Sequence, residues 1–278
     1  LLRIHHLVQD HTALEVLLGE LRAFLSGRGD ALPEPLPFRD FVAQARLAVP
    51  REEHERYFAD LLGDVTETTA PYGLVDVHGD RTRAVQARLA VEDELAGRVR
   101  EVARSLGVSP ATVFHLAWAR VLGTLSARDD VVFGTILFGR MNAGAGADRV
   151  PGLFINTLPV RVRLGGQLVG DALADVRRQL TGLMVHEHAP LALAQAASGL
   201  PGGSPLFSSL FNYRHNQAAP AAGGGIGGAR TVFTREHTNY PLDVAIDAGE
   251  TGFGITVDSL APGDPEQVCA LLHTCLDS

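Results

Sequence analysis

The residues richest in chemistry stand together near the start of the chain, at His5-His6-Leu7-Val8-Gln9-Asp10, with His11 next. A neutral imidazole can take a proton or hold a nucleophile near pH 7. A carboxylate just beyond it can orient that imidazole, cap a helix or pair with an arginine. Residues 1–7 read as a strand in which Leu2, Ile4 and His6 share one face and His5 takes the other. His6 is therefore expected to look into the space that this sheet encloses. The plainer alternative is a core histidine followed by a simple helix cap. His5, His6, Asp10 and His11 are all potential metal ligands, but adjacent strand histidines point to opposite faces, so joint coordination is awkward and no metal site is expected.

The elements that must position these residues follow from pattern. A capping-box sequence, Thr12-Ala13-Leu14-Glu15, precedes Leu14, Leu17, Leu18, Leu21, Phe24 and Leu25 at helical spacing. Residues 33–37 hold three prolines and read as an extended connector. Helices are expected over 38–47 and 51–62. Beyond them strands and helices alternate: strand 85–90, helix 92–106, helix from the Ser109 cap and Pro110, strand 131–138, strand 154–164 and helix 170–186. Strands are expected over 206–213, 230–234, 242–247 and 252–257, and a final helix over 265–276. A Gly/Ala-rich tract at 217–229 reads as a loop. The pattern is that of an α/β sandwich. The expected division is 1–66 and 85–278 as two lobes, joined by a linker at 67–84.

Composition narrows the functional classes. With 46% hydrophobic and 20% charged residues, the 278-residue chain is globular rather than disordered. A net charge of −8 speaks against nucleic acid as partner. No apolar run is long enough to span a bilayer, so no membrane role is expected. All 24 basic residues are arginine, which excludes a Schiff-base lysine. Cys269 and Cys275 form no disulfide framework, and a reducing, cytoplasmic setting is expected.

His5-His6-Leu7-Val8-Gln9-Asp10 resembles the HHxxxD motif of the condensation domains of nonribosomal peptide synthetases, and further segments repeat the resemblance in family order. They are Pro37-Phe38-Arg39-Asp40-Phe41-Val42, the helix from Ser109 to Trp118, and Asp129-Asp130-Val131-Val132-Phe133-Gly134-Thr135 with Phe138-Gly139-Arg140. Then come Gly152-Leu153-Phe154-Ile155-Asn156-Thr157-Leu158-Pro159-Val160-Arg161 and His186-Glu187-His188 through Gln195. Pro205-Leu206-Phe207 through Tyr213 and Asn239-Tyr240-Pro241-Leu242 complete the series.

The resemblance implies a two-lobed, chloramphenicol acetyltransferase-like α/β sandwich with mixed sheets, here with its first lobe incomplete. It implies an acyltransferase that forms an amide between a donor and an acceptor tethered to peptidyl carrier proteins. Their phosphopantetheine arms would enter a tunnel between the lobes, no cofactor would be bound directly, and adenylation domains would be neighbours in the same megasynthase. His6 corresponds to the catalytic histidine, with His5, Asp10 and Arg140 in support, Asp10 pairing with Arg140. Asn156, Tyr213, Tyr240 and His11 are candidates for the tunnel lining, with core packing or backbone support as their plainer roles. His11 departs from the family's usual glycine. The motif strand lies well inside the family's domain yet starts here at residue 5, so a preceding segment is expected elsewhere. Activity need not survive in the chain alone, and exposed apolar surface is expected to limit its solubility. An epimerisation domain of the same superfamily and a non-catalytic carrier-docking module are the alternatives.

Overall fold

The computed structural model describes residues 4–76, 83–140, 143–215 and 238–278. The expected strand at 230–234 and the loop at 217–229 lie outside them. Three helices come first: α1 (His11–Leu25), α2 (Phe38–Leu47) and α3 (Arg51–Leu62). Then follow β1 (Val85–Val91), α4 (Asp93–Ser105), α5 (Pro110–Ser126), β2 (Asp130–Leu137), β3 (Asn156–Arg163) and α6 (Val169–Val185). The chain continues through α7 (Leu191–Ala197), β4 (Ser209–His215), β5 (Leu242–Ala248), β6 (Phe253–Ser259) and α8 (Pro265–Asp277).

The strands form a single mixed sheet in the order β1-β6-β5-β4-β2-β3. β5 and β4 pair in parallel, as do β4 and β2, while the remaining neighbours are antiparallel. β2 is apolar on both faces because it lies inside the sheet. β3 is an edge, and the Gln179 amide of α6 covers part of it: it accepts from Arg161 N at 2.6 Å and donates to Arg161 O at 2.7 Å.

α5 is the central helix. Ser109 Oγ accepts from Thr112 N at 3.2 Å, Pro110 opens the first turn, and Ala127 closes the last in the left-handed region. Its inner face buries Phe114, Trp118 and Leu122 completely. Phe114 meets Phe253 edge-on at 4.9 Å, and His115 meets Phe211 at 4.5 Å. α3, which precedes the expected linker, sends Phe58 and Leu62 into this same core. Arg161 fastens its end, binding Asp130 through Nε at 2.9 Å and Nη2 at 2.6 Å, Leu61 O at 2.9 Å, and Asp64. Past α3, Thr69 is stitched into the sheet: Val132 N donates to its hydroxyl and Ser208 N to its carbonyl.

The chain start departs from expectation. Among the described residues no strand forms before Val85. His5 to Val8 instead make a turn, closed by Val8 N donating to His5 O at 3.1 Å. An extended segment needs a neighbour for its backbone groups, and the turn satisfies them locally. His6 is accordingly exposed rather than facing inward from a sheet. The helix also starts earlier than the Thr12 box implies, because Asp10 caps it: Oδ1 accepts from Ala13 N at 2.9 Å.

Candidate functional site

Asp10 is the centre of the arrangement. It is almost wholly buried, and its carboxylate is filled with donors. Oδ1 accepts from Ala13 N and from Arg140 Nη2 at 2.7 Å, while Oδ2 accepts from Phe154 N at 3.1 Å. One side chain thus joins the start of α1 to the segments at either end of the 140–154 loop. Such a buried charge is tolerable only when paired and hydrogen-bonded.

Arg140 completes the fastening. Nη1 donates to Ala147 O and to Val150 O at 3.0 Å, and the guanidinium lies 3.9 Å over the Phe154 ring. Residues 147–154 are therefore wrapped around the Arg140 side chain. Phe154 packs with Phe38 and Phe41 of α2, at ring separations of 5.3 and 4.1 Å. Close approach makes glycine necessary beside this cluster. A Cβ on Gly152 would stand 2.3 Å from the Phe38 ring, and one on Gly139, at φ +64°, would stand 2.1 Å from Phe154 O.

The histidine pair precedes this anchor on the turn. His6 Nδ1 lies 2.6 Å from Gln9 O. A carbonyl can only accept, so Nδ1 carries hydrogen, and in the neutral ring Nε2 is the nitrogen with a free lone pair. His5 has the opposite arrangement: Leu7 N donates to its Nδ1 at 3.1 Å, which places the proton of neutral His5 on Nε2. Of the two, His6 presents a basic nitrogen that no local contact occupies among the described residues.

The remaining candidates are dispersed. His11 opens α1, half exposed, with Nε2 3.3 Å from Glu15. Asn156 does not reach toward His6: its Nδ2 donates to Glu187 O at 2.8 Å and Ala189 O at 2.7 Å, pinning the 186–189 turn to β3. Tyr240 stacks on Phe207 at 5.6 Å. Tyr213 packs into the core, the plainer of its two expected roles. It shares the helix-facing side of β4 with Phe211 and packs on Phe114 at 5.9 Å, and burial pushes its hydroxyl up to about 12.

The matched segments contain Phe38, Phe41, Phe154, His186 and His188 separately, but nothing in them brought these side chains together or pointed to His54. His188 meets Phe41 edge-on at 5.1 Å, and His186 lies 2.8 Å from His54 of α3. The i, i+3 aromatic spacing of Phe38 and Phe41 was a signal for the aromatic group. His54 carried none, since a lone histidine in a charged helix looks like surface. Among the described residues, no group of three or more metal-ligating side chains is gathered, and no helix is long and apolar enough to cross a membrane.

A mixed sheet covered by helices, with a histidine turn tied to a buried Asp–Arg pair, defines the class, and comparison with known proteins agrees. The condensation domain family model matches residues 1–259. The chain belongs to the condensation domain family, whose motifs its sequence carries in order. It is 43% identical over 275 residues to malpibaldin synthetase of Mortierella alpina, covering 99% of this chain and 5% of that protein. It thus spans a small fraction of this curated relative's length. Among solved structures, the first condensation domain of the CDA synthetase superposes with a TM-score of 0.73 at 21% identity, over 98% of this chain and 62% of that one. The epimerization domain from the third module of tyrocidine synthetase B gives 0.71 at 17%, over 99% and 66%. At these identities both report the fold alone.

Proposed function

We propose that the chain contributes the histidine of an amide-forming acyl transfer between two carrier-tethered substrates, within a soluble cytoplasmic peptide synthetase. The acceptor amine attacks the donor thioester carbonyl, the C–N bond forms and the C–S bond breaks. His6 Nε2 takes the proton that the amine loses, and the departing thiolate is protonated in turn. The observation that carries this reading is the hydrogen bond from His6 Nδ1 to the Gln9 carbonyl, which leaves Nε2 as the base. His5 and the Asp10–Arg140 pair support the turn without touching the reacting atoms. Holding two tethered reactants together supplies much of the remaining acceleration. The pantetheine arms are substrates here, delivered by donor and acceptor carrier proteins that adenylation domains load.

The test uses the full-length synthetase. His6→Ala is expected to lower amide formation between two loaded carriers by about 10²–10⁴-fold, the usual worth of a positioned base. An unchanged rate overturns the assignment. Deuterium entering the α-carbon of a single loaded carrier's substrate would redirect it to epimerisation.

A further inference from the structure

Behind the site lies a second group of imidazoles that the proposed chemistry does not use. His54 Nδ1 and His186 Nδ1 are 2.8 Å apart, and both residues are buried. Tyr57, one turn on from His54, stacks on His186 at 4.1 Å. The contact joins α3 to the turn that Asn156 clamps to β3. The next imidazole on that turn, His188, lies against Phe41 and Gly139, and Phe41 packs on the Phe154 ring beneath Arg140. A continuous series of contacts therefore runs from the His54–His186 pair to the Asp10 anchor.

We infer that His54 and His186 form a proton-sensitive latch that positions the 186–189 turn and, through it, the Arg140 anchor. The reason is stoichiometric. Two nitrogens at this distance share one hydrogen, donated by one ring and accepted by the lone pair of the other. One added proton leaves that bond possible. Two protonated rings each carry hydrogen on Nδ1, neither can accept, and two like charges face each other. The groups facing the pair are Glu53 and Tyr57 on α3 and His188 on the turn, where Glu187 lies beside His188; α7 (Leu191–Ala197), packed on α3, brings no titratable residue. Burial holds both rings below the ordinary imidazole range, opposed by the Glu53 charge. A depressed histidine means that the unfolded chain binds more protons. The latch's stabilisation is thus complete above about pH 6.5 and fades as pH falls below it.

The latch is tested without turnover, so its failure is distinct from failure of the acyl-transfer reading on which its catalytic consequence rests. In the chain labelled with ¹⁵N-histidine, a scalar coupling between the two Nδ1 nuclei is expected at pH 7.5, vanishing in acid; no coupling at neutral pH overturns the latch. The thermal midpoint is then followed from pH 7.5 to 5. His54→Asn can donate to neutral His186 or accept from its protonated form, so its midpoint is expected to fall less steeply than wild type. Equal slopes overturn the proposal, and His186→Asn provides the reciprocal variant should the first not fold. In the full-length synthetase the acid limb of amide formation is expected to move to lower pH in the Asn variant; an unmoved limb overturns the link to the anchor.

Discussion

α1 presents Leu14, Leu17, Leu18, Leu21, Phe24 and Leu25 at helical spacing, much as α5 presents Phe114, Ala117, Trp118, Val121 and Leu122. On α5 none of these five is more than 5% exposed, whereas on α1 Leu21, Phe24 and Leu25 are 43, 65 and 67% exposed. A hydrophobic stripe specifies a face that can be buried, and the surroundings decide whether it is. The two helices are consequently held by different means. α5 is held by area removed from water. α1 is held at one end, through the Asp10 carboxylate and the donors that fill it.

The largest effect should come from the helix that depends on burial. Trp118 is fully buried, and Trp118→Ala is expected to destabilise the sheet and its helices by about 3–5 kcal/mol. Denaturant unfolding followed by far-UV circular dichroism measures it. Trp118→Phe sharpens the test. The indole Nε1 has no hydrogen-bond partner among the described residues, so the phenyl ring loses volume but no bond. A phenylalanine variant as damaged as the alanine one would show that α5 depends on more than packing.

Arg140→Ala asks the same of α1. It would leave the Asp10 carboxylate buried without its cation, at a cost of about 3–5 kcal/mol. The loss should be local. Hydrogen exchange is expected to quicken in α1, α2 and the 143–152 loop while β2 and β4 keep their protection. Equal loss everywhere would mean that the two regions form one cooperative unit.

A third contrast is in pH. His115 on α5 is buried between Ala111 O, 2.6 Å from Nδ1, and Thr135 Oγ1, 2.8 Å from Nε2. Desolvation lowers its pKa from 6.5 to about 4, outweighing the Ala111 hydrogen bond. The unfolded chain binds the proton more readily, so stability is full above pH 6.5 and declines as pH falls toward 4, by about 3 kcal/mol in all. His115→Gln should flatten this part of the acid limb in a thermal-midpoint titration. An unchanged limb would assign the acid sensitivity elsewhere.

Much of the second region was legible in the sequence for the reason that α5 is stable. Ser109-Pro110 marks a start, and the alternation of apolar runs with turn residues marks β2, β5 and β6, because local pattern and burial agree there. The Asp10–Arg140 contact joins residues 130 positions apart and was readable only through family likeness. Of the strand expected over 1–7, the described part from Ile4 onward is not a strand, because strand formation depends on a neighbour, which no local pattern encodes. For Tyr213 the sequence left core packing and tunnel lining side by side for a related reason: alternation separates the two faces of a strand but does not say which one the helices cover. His54 was invisible because its partner, His186, lies 132 residues away.

The smallest effect closes the comparison from the exposed side. Phe24 sits in the last turn of α1 at 65% exposure, and its ring edge lies against Gly29. Phe24→Ser therefore removes little buried area, and the unfolding free energy is expected to change by about 0.5 kcal/mol or less. The same substitution at Phe114 would put a hydroxyl where the Phe253 ring now packs and should cost several times more. The pair of variants, measured by denaturant unfolding, compares environments, since the same residue type is replaced by the same side chain within a helix at both sites. A cost at Phe24 approaching that at Phe114 would mean that the α1 face is covered in solution, and the apolar stripe would then report a partner surface as faithfully on α1 as on α5.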